Sequence, residues 1–537
     1  MDKQPGRRGE KQPMSAAKSK KKQPTKSRKK CLLPSQERSS LSDDNCELSD
    51  DSMTTVEETT YIIEPNDDQS AADIIISFVD NRIINSQGRF FSRASDSVIY
   101  NEGEEGVKAT VLNLTAKNDI LIMVESHDGR HHHYSRSNRV NGCIPRILAD
   151  PRIVHKSFAD DLWKSNLKHL AFADGVYSFV NDKLLSIEEA QQANIFFTRD
   201  TGRPFPHIEG SANTVADVTS QKLLRRVIKP FLPDPDQRTF FLNCIARALA
   251  GEIVDKRWFV GLGARNCGKG IFCKLLKAAF GSFVRAMDTG NLIIKASSKD
   301  VAKSQSWMRG NEYTRILFSN EMLKAGTGIL DGDIIKRVCS NGDVIEVRQN
   351  YKDEIQIRMQ ASIFLLANDM PPINPPDAYQ TMHGFKFMSE FREEKEITDP
   401  SSDMQKNWLP MDHSLEVFIN RPDVIDAFTL LILRSYTPDI QPPPDIVKEH
   451  TTSIKGDAAE SQEERFEKLV LRGDKTDVLF FNEIRQVVIN AGMGSMSDKK
   501  IEGYVSKLYG LMSGKPSKQV EGMMKQGRGF KYLRFAE

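Results

Sequence analysis

One segment constrains this chain more than any other: Trp258-Phe259-Val260-Gly261-Leu262-Gly263-Ala264-Arg265-Asn266-Cys267-Gly268-Lys269-Gly270, an apolar strand running straight into Gly-x4-Gly-Lys. A continuous apolar strand, a glycine-rich turn and an immediate helix form the phosphate-gripping unit of an α/β fold. Gly263 and Gly268 let successive backbone N–H groups of the loop (Ala264, Arg265, Asn266, Cys267) approach a phosphate, and Lys269 can reach the β- and γ-oxygens. The helix is expected at once, because Ile271, Phe272, Leu275, Leu276 and Ala279 share one face and Gly281 is placed to stop it. One position departs from the pattern. Gly270 stands where Ser or Thr usually ligates Mg²⁺, so a metal ligand must come from elsewhere or from water. Alone, the loop could also be a glycine-rich surface turn, and the residues downstream decide.

They supply two more buried-type strands. Arg315-Ile316-Leu317-Phe318-Ser319-Asn320 ends in Glu321, a carboxylate able to hold Mg²⁺ and to polarise an attacking water. Ala361 to Ala367 ends in Asn368, an amide suited to a γ-phosphate or the lytic water. Either residue alone is an ordinary strand-to-loop cap. In this order, three apolar strands each releasing one polar residue describe a nucleotide crevice at the edge of a parallel sheet.

The order of Gly263 to Gly270, Glu321, Asp331-Gly332-Asp333-Ile334-Ile335-Lys336, Ser340-Asn341-Gly342-Asp343-Val344-Ile345-Glu346-Val347-Arg348 and Leu365-Leu366-Ala367-Asn368-Asp369-Met370-Pro371-Pro372 resembles the superfamily 3 helicases. The likeness is to the primase-helicases of large eukaryotic DNA viruses, the poxvirus type, and of phages and plasmids. It is specific over about residues 258 to 391 and weaker over 150 to 250, where Leu170-Ala171-Phe172-Ala173-Asp174-Gly175-Val176-Tyr177 is similar to the family's pre-helicase region. The resemblance implies an AAA+-like P-loop ATPase core, ATP and Mg²⁺ as cofactors, and ATP-driven DNA unwinding by a homo-hexameric ring moving on single-stranded DNA. It assigns catalysis to Lys269, Glu321 and Asn368, with Glu321 also the Mg²⁺ ligand. It also implies a hairpin projecting into the ring channel. Val344 to Arg348 and Ile355 to Arg358 alternate apolar with polar about a tip at Asn350 to Glu354, so Lys352, with Arg348 and Arg358 nearby, is placed to touch DNA phosphates; a solvated hairpin reads the same way.

A second departure concerns the arginine finger. Family members usually carry arginines shortly before Phe-x3-Phe; here Tyr379 to Gly384 precede Phe387-Met388-Ser389-Glu390-Phe391 with none, leaving Arg392 or Lys386 as substitutes. No carboxylate cluster for a polymerising primase precedes the loop, so the resemblance is to a helicase without primase, with a separate primase and polymerase as possible partners. Two other classes compete with a helicase of viral or mobile-element replication: a nucleotide-responsive DNA-binding scaffold with little turnover, and a protein-remodelling AAA+ ATPase.

The rest of the 537 residues divide by composition. Residues 1 to 30 hold twelve Lys and Arg against Asp2 and Glu10, net +10, while residues 35 to 68 hold eleven acids against Arg38, net -10. Residues 1–70 are therefore expected as a disordered basic then acidic tail, the basic block serving nuclear import or nucleic-acid contact; a cytoplasmic viral replication site fits equally. Residues 71–150 read as a β-rich module, with Ile74-Ile75-Ile76 taken as a strand, and 151–250 as a helical collar. The ATPase spans 251–445, closed by a Pro442-Pro443-Pro444 linker, and 446–537 resembles a winged helix. In that module Lys499, Lys500 and Lys507 line a recognition helix, and Lys525, Arg528, Lys531 and Arg534 a closing hairpin. His131-His132-His133 alternate across a strand, so at most two could share an ion. Seven scattered cysteines form no C-x-x-C pair, pointing to a reducing compartment, and no apolar run is long enough to span a membrane.

Overall fold

The structure, a computed structural model, describes residues 60–116, 120–134, 140–206, 215–294, 305–319, 328–348, 354–397, 407–459, 462–490, 496–520 and 523–536. They form two compact units, one of residues 60–95 and 101–158, the other of 96–100 and everything from 159 onward.

The first unit contains β1 (Thr60–Ile63), α1 (Asp68–Ser77), β2 (Ile83–Ser86), β3 (Arg89–Ser92), β4 (Asn101–Glu102), α2 (Glu104–Ala116), β5 (Leu121–Glu125), β6 (His131–His133) and α3 (Val140–Leu148). It is an α/β unit rather than a β-rich module. Ile74 to Ile76 belong to a helix, because Asp67 caps the Ser70 N–H at 3.0 Å and Ala71, Ala72 and Ile75 turn inward at helical spacing. Thr60–Ile63, inside the stretch expected as tail, forms a strand that pairs in parallel with β5. His131 to His133 form an edge strand with His131 and His132 exposed, and no trio of metal-ligating side chains occurs among the described residues.

After residues 96–100, the second unit holds α4 (Phe158–Ser165) from its second residue and an antiparallel meander, β7 (His169–Ala171), β8 (Val176–Ser178) and β9 (Lys183–Leu185), so the stretch read as a helical collar carries a sheet in its first half. The Leu170 to Tyr177 phrase is the first turn of that meander. Helices then follow as expected: α5 (Ile187–Gln192), α6 (Val215–Leu223), a π-helical turn at Leu224–Ile228, α7 (Lys229–Phe231) and α8 (Pro235–Leu249), the last started by the Asp234 cap and Pro235.

Beyond them come β10 (Trp258–Gly263), α9 (Lys269–Phe280), β11 (Val284–Ala286), α10 (Ser306–Arg309), β12 (Ile316–Ser319), β13 (Leu330–Asp331), α11 (Gly332–Val338), β14 (Val344–Arg348), β15 (Glu354–Arg358), β16 (Ser362–Ala367), β17 (Ile373–Asn374), β18 (Met382–Phe387), β19 (Glu390–Arg392) and β20 (Trp408–Pro410). Five of these strands make one parallel sheet in the order β11-β12-β16-β10-β18. Side chains alternate between two cores. Phe259, Phe318 and Phe364 face the α9 side with Phe272 and Leu276, while Val260, Leu317 and Leu365 face Met308, Ile345 and Val347. Burial on both faces explains why these strands are apolar without a break. β14 and β15 pair antiparallel, Val344 against Arg358 and Arg348 against Glu354, which is the hairpin expected from the alternation.

Helices α12 (Leu415–Ile419), α13 (Pro422–Leu433) and α14 (Asp445–Ala459) follow. The proline stretch is fastened rather than loose, since Arg257 donates to the Gln441 carbonyl at 3.0 Å. Helix α14 belongs to the sheet and not to the terminal module: Gly384 N–H of β18 donates to Thr451 Oγ1 at 2.8 Å, and Ile454 is buried in the sheet's core. The terminal lobe therefore starts at α15 (Gln462–Leu469), followed by β21 (Val470–Arg472), β22 (Val478–Phe480), α16 (Phe481–Asn490), α17 (Asp498–Tyr509), β23 (Ser517–Val520), β24 (Met523–Gln526), β25 (Gly529–Lys531) and β26 (Leu533–Phe535). It has its own core around Phe466, Ile484, Ile501 and Phe530. The closing residues are not a hairpin: β25 pairs with β22 and β26 with β21. The hairpin is β23–β24, one segment earlier, extended by mutual bonds between Gly514 and Gly529 at 2.9 and 3.1 Å.

Candidate functional site

The site is built where three parallel strands end. β16 lies between β10 and β12, with Leu262 opposite Ala367 and Ser319 opposite Leu365, so Asn368 emerges beside the turn that follows β10. In that turn Asn266 (φ 63) and Gly268 (φ 97) take left-handed backbone conformations, and α9 starts at the next residue. A side chain at 268 would be strained by that φ and would also crowd Phe231 at 3.2 Å. Gly281 (φ 50) ends the helix as its position in the sequence predicts.

Lys269 is 8% exposed and its Nζ is held entirely by neighbours. It donates to the carbonyls of Gly263 at 2.6 Å and Ala264 at 3.1 Å, to Cys267 Sγ at 3.2 Å and to Asn368 Oδ1 at 3.1 Å. All four acceptors are neutral. Among the described residues a buried ammonium so arranged is compensated by dipoles alone, and a phosphate arriving at the N-terminus of α9 supplies the charge those dipoles lack. Cys273, one turn into α9, has its thiol pushed up to about 12 by burial, with Lys269 opposing, so it stays protonated.

Two residues that the sequence presented only as a family landmark touch this loop. Phe391 N–H donates to the Asn266 carbonyl at 2.9 Å, and Phe387 stacks on Phe231 at 4.3 Å, which in turn stacks on Phe272 of α9 at 5.0 Å. A Cβ at Gly263 would fall 2.8 Å from that of Phe387, so this glycine is required by close packing as well as by the turn.

The other assigned residues divide. Gly263 to Gly270 and Asn368 converge on Lys269; Glu321 and Lys352 lie outside the described residues. Arg392 pairs with Glu390 at 2.6 Å and lies over the Trp408 ring at 4.8 Å, on the strand next to its own phosphate loop. Lys386, the other substitute, donates to Ser453 Oγ at 2.8 Å. Arg358 is bonded to Asp160 at 2.7 Å and to the Gly342 carbonyl, which anchors the base of the hairpin on α4. Arg348 ends β14, part-buried. In the terminal lobe Lys499 and Lys500 are exposed on α17, Lys500 near the Tyr504 ring at 5.8 Å, whereas Lys507 is paired with Glu463 at 2.6 Å.

No protein-family model matches the chain. A Sputnik virophage protein named "Putative helicase V13" is 27% identical over 278 residues, 51% of this chain and 33% of its own length. A protein of Acanthamoeba polyphaga mimivirus named "Putative helicase L207/L206" is 26% identical over 246 residues, 44% of this chain and 24% of its own. The chain thus spans a third or less of these relatives. Among solved structures, two apo forms of the NrS-1 C-terminal region align at TM-scores of 0.34 and 0.32, with 10% and 13% identity, covering 87% and 63% of this chain and 100% and 80% of theirs. The chain is a relative of proteins named as viral helicases, on a mixed α/β fold with a parallel sheet at its core.

Proposed function

We propose that this chain is an ATP-dependent DNA helicase of viral or mobile-element replication, of the superfamily 3 type, acting as a hexameric ring on single-stranded DNA. The observation that carries the reading is Lys269, buried at the N-terminus of α9 and shared between the loop carbonyls and Asn368. A triphosphate fits this place, because the loop offers backbone N–H groups, a helix N-terminus and an ammonium that meets no acid among the described residues. Lys269 would hold the β- and γ-oxygens and Asn368 would read the γ-phosphate, its oxygen released as Lys269 turns to the nucleotide. Mg²⁺ would neutralise developing charge on the phosphates, with Glu321 as its protein ligand since Gly270 has no oxygen to give.

The elements from residue 159 to 249 serve in this reading as the collar of the ring, and the β14–β15 hairpin, with Lys352 at its tip and Arg348 at the tip end of β14, as the channel contact. The terminal lobe, in the order helix, two strands, two helices, hairpin and two closing strands, supports a winged helix with α17 and its Lys499 and Lys500 against duplex DNA. The basic tail supports work in the nucleus of a host, or equally at a cytoplasmic viral site.

A scaffold with little turnover is the second reading, favoured by Gly270 and by the commitment of Arg392 to Glu390. ATP hydrolysis measured with and without single-stranded DNA, beside a strand-separation assay, decides between them. Stimulated hydrolysis with unwinding supports the helicase; tight nucleotide binding with neither overturns it.

A further inference from the structure

At the β11 edge of the sheet, two arginines converge on one backbone carbonyl. Arg199 Nη2 donates to the Gly310 oxygen at 2.8 Å. Arg285 Nη1 donates to the same oxygen and reaches Asn311 Oδ1 at 3.5 Å. A third arginine, Arg309, stands beside them and is paired with Glu312 at 2.8 Å. The carboxylate of Glu312 is buried against Arg309 and acts on Arg199 from there without a bond to it. The half-buried Arg199 has its Nε enclosed without an acceptor among the described residues, and burial together with the charge of Arg285 pulls its guanidinium below its ordinary range.

Holding a turn together needs one donor on its carbonyl. Two cations there, one of them half-buried and opposed only in part by the charge of the already paired Glu312, cost free energy through desolvation and like-charge repulsion that a neutral carbonyl does not return. The missing component is an anion with several oxygens, the acceptor that a guanidinium fork matches best. From this we infer that Arg199 and Arg285 form a phosphate site for the backbone of a nucleic-acid strand. A strand is favoured over a nucleotide by position. β12 and β16 separate β11 from the phosphate-loop strand, and α10, which carries Arg309, buries Met308 in the same core as Ile345 and Val347 of the β14–β15 hairpin. The cluster thus sits on the hairpin's face of the sheet, and exposed Arg285 presents it outward. The inference rests on the nucleic-acid reading above and extends it to residues that lie in no motif.

The test is binding of the full chain to a labelled oligothymidylate, followed by fluorescence anisotropy across a salt series, with ATP affinity measured in parallel. Arg285→Ala is expected to weaken the strand about tenfold and to flatten the dependence of log affinity on log salt by about 0.7 for the lost phosphate contact, with ATP affinity unchanged. Arg285→Lys should keep most of that slope. Arg199→Ala should act in the same direction; because Arg199 is half-buried, the exposed Arg285 carries the decision if that variant fails to fold. An unaltered slope in folded Arg285→Ala overturns the inference alone, as does a fall in ATP affinity in place of strand affinity. Failure of the unaltered chain to bind the strand at any salt concentration overturns the nucleic-acid reading itself, and this site with it.

Discussion

Lys269 and Arg315 are both buried cations on the same parallel sheet, one at its carboxyl edge and one at its amino edge, and they are treated in opposite ways. Lys269 is met by four neutral acceptors around an open loop. Arg315, with no exposed surface, gives Nη2 to the Asn166 carbonyl at 3.0 Å and to Asn166 Oδ1 at 2.9 Å, while Nε and Nη1 find no acceptor among the described residues. Burial alone pushes its guanidinium down to about 9, still charged at neutral pH. Asn166 also takes a bond from Gln360 at 3.0 Å, so this lower edge is a closed polar knot tying β12 and β16 to the end of α4. The difference teaches how to tell a site from a strut. Acceptors that an incoming anion can replace mark the first; a cation with no exposed surface, out of reach of any ligand, marks the second.

That contrast can be broken, beginning with the largest effect. Lys269→Ala should lower ATP turnover by at least about 100-fold, the scale of losing one preorganised donor to developing charge, with the melting temperature nearly unchanged; steady-state hydrolysis checks it, and retained turnover would remove the site. Gly251→Ala strikes the strut. Gly251 has φ +75, and an added Cβ would lie 1.3 Å from Arg315 Nη1, so a loss of about 3 kcal/mol or more is expected in chemical denaturation.

A third solution to a buried cation is to give up the charge, and His383 takes it. On β18, opposite Phe259, it is pulled down to about 4 by burial first and by Arg257 and Lys455 after. Because the unfolded chain binds this proton at the ordinary 6.5 and the folded chain does not, its contribution is intact above pH 6.5. Stability then falls as the pH drops toward 4, by up to about 3 kcal/mol. Replacement by Phe should flatten that part of the stability profile. The smallest effect is expected from Arg315→Met: stability within about 1 kcal/mol of the parent or above it, since an apolar chain of similar length relieves the buried charge while each Asn166 oxygen keeps a second donor, from His169 N–H and from Gln360. A loss as large as that of Gly251→Ala would show that the strut's charge is needed.

The sheet and its loop were legible in the sequence because each element spoke locally: unbroken apolar runs, a glycine pattern, a helix face of Phe272, Leu275 and Leu276. The β14–β15 hairpin was legible for the same reason. What escaped was whatever depends on partners far along the chain. Arg358 and Arg392 look like free cations until Asp160 and Glu390 are in place. Ile74 to Ile76 suit a strand by composition, and the Asp67 cap that makes them helical is a single side chain. The terminal hairpin was misplaced because Phe530 and Leu533 are apolar on account of the lobe's core, not of each other. Phe387 and Phe391 stood in view as a motif, but only the fold shows them reaching the phosphate loop.

The bond from the Phe391 amide to the Asn266 carbonyl has a practical meaning. It fastens the crest of the loop to the short β19–β20 strap, so a rearrangement of the loop around an arriving ligand must stretch or keep this one link. The exchange rate of a single amide proton is therefore an internal gauge of occupancy, readable without label, substitution or turnover.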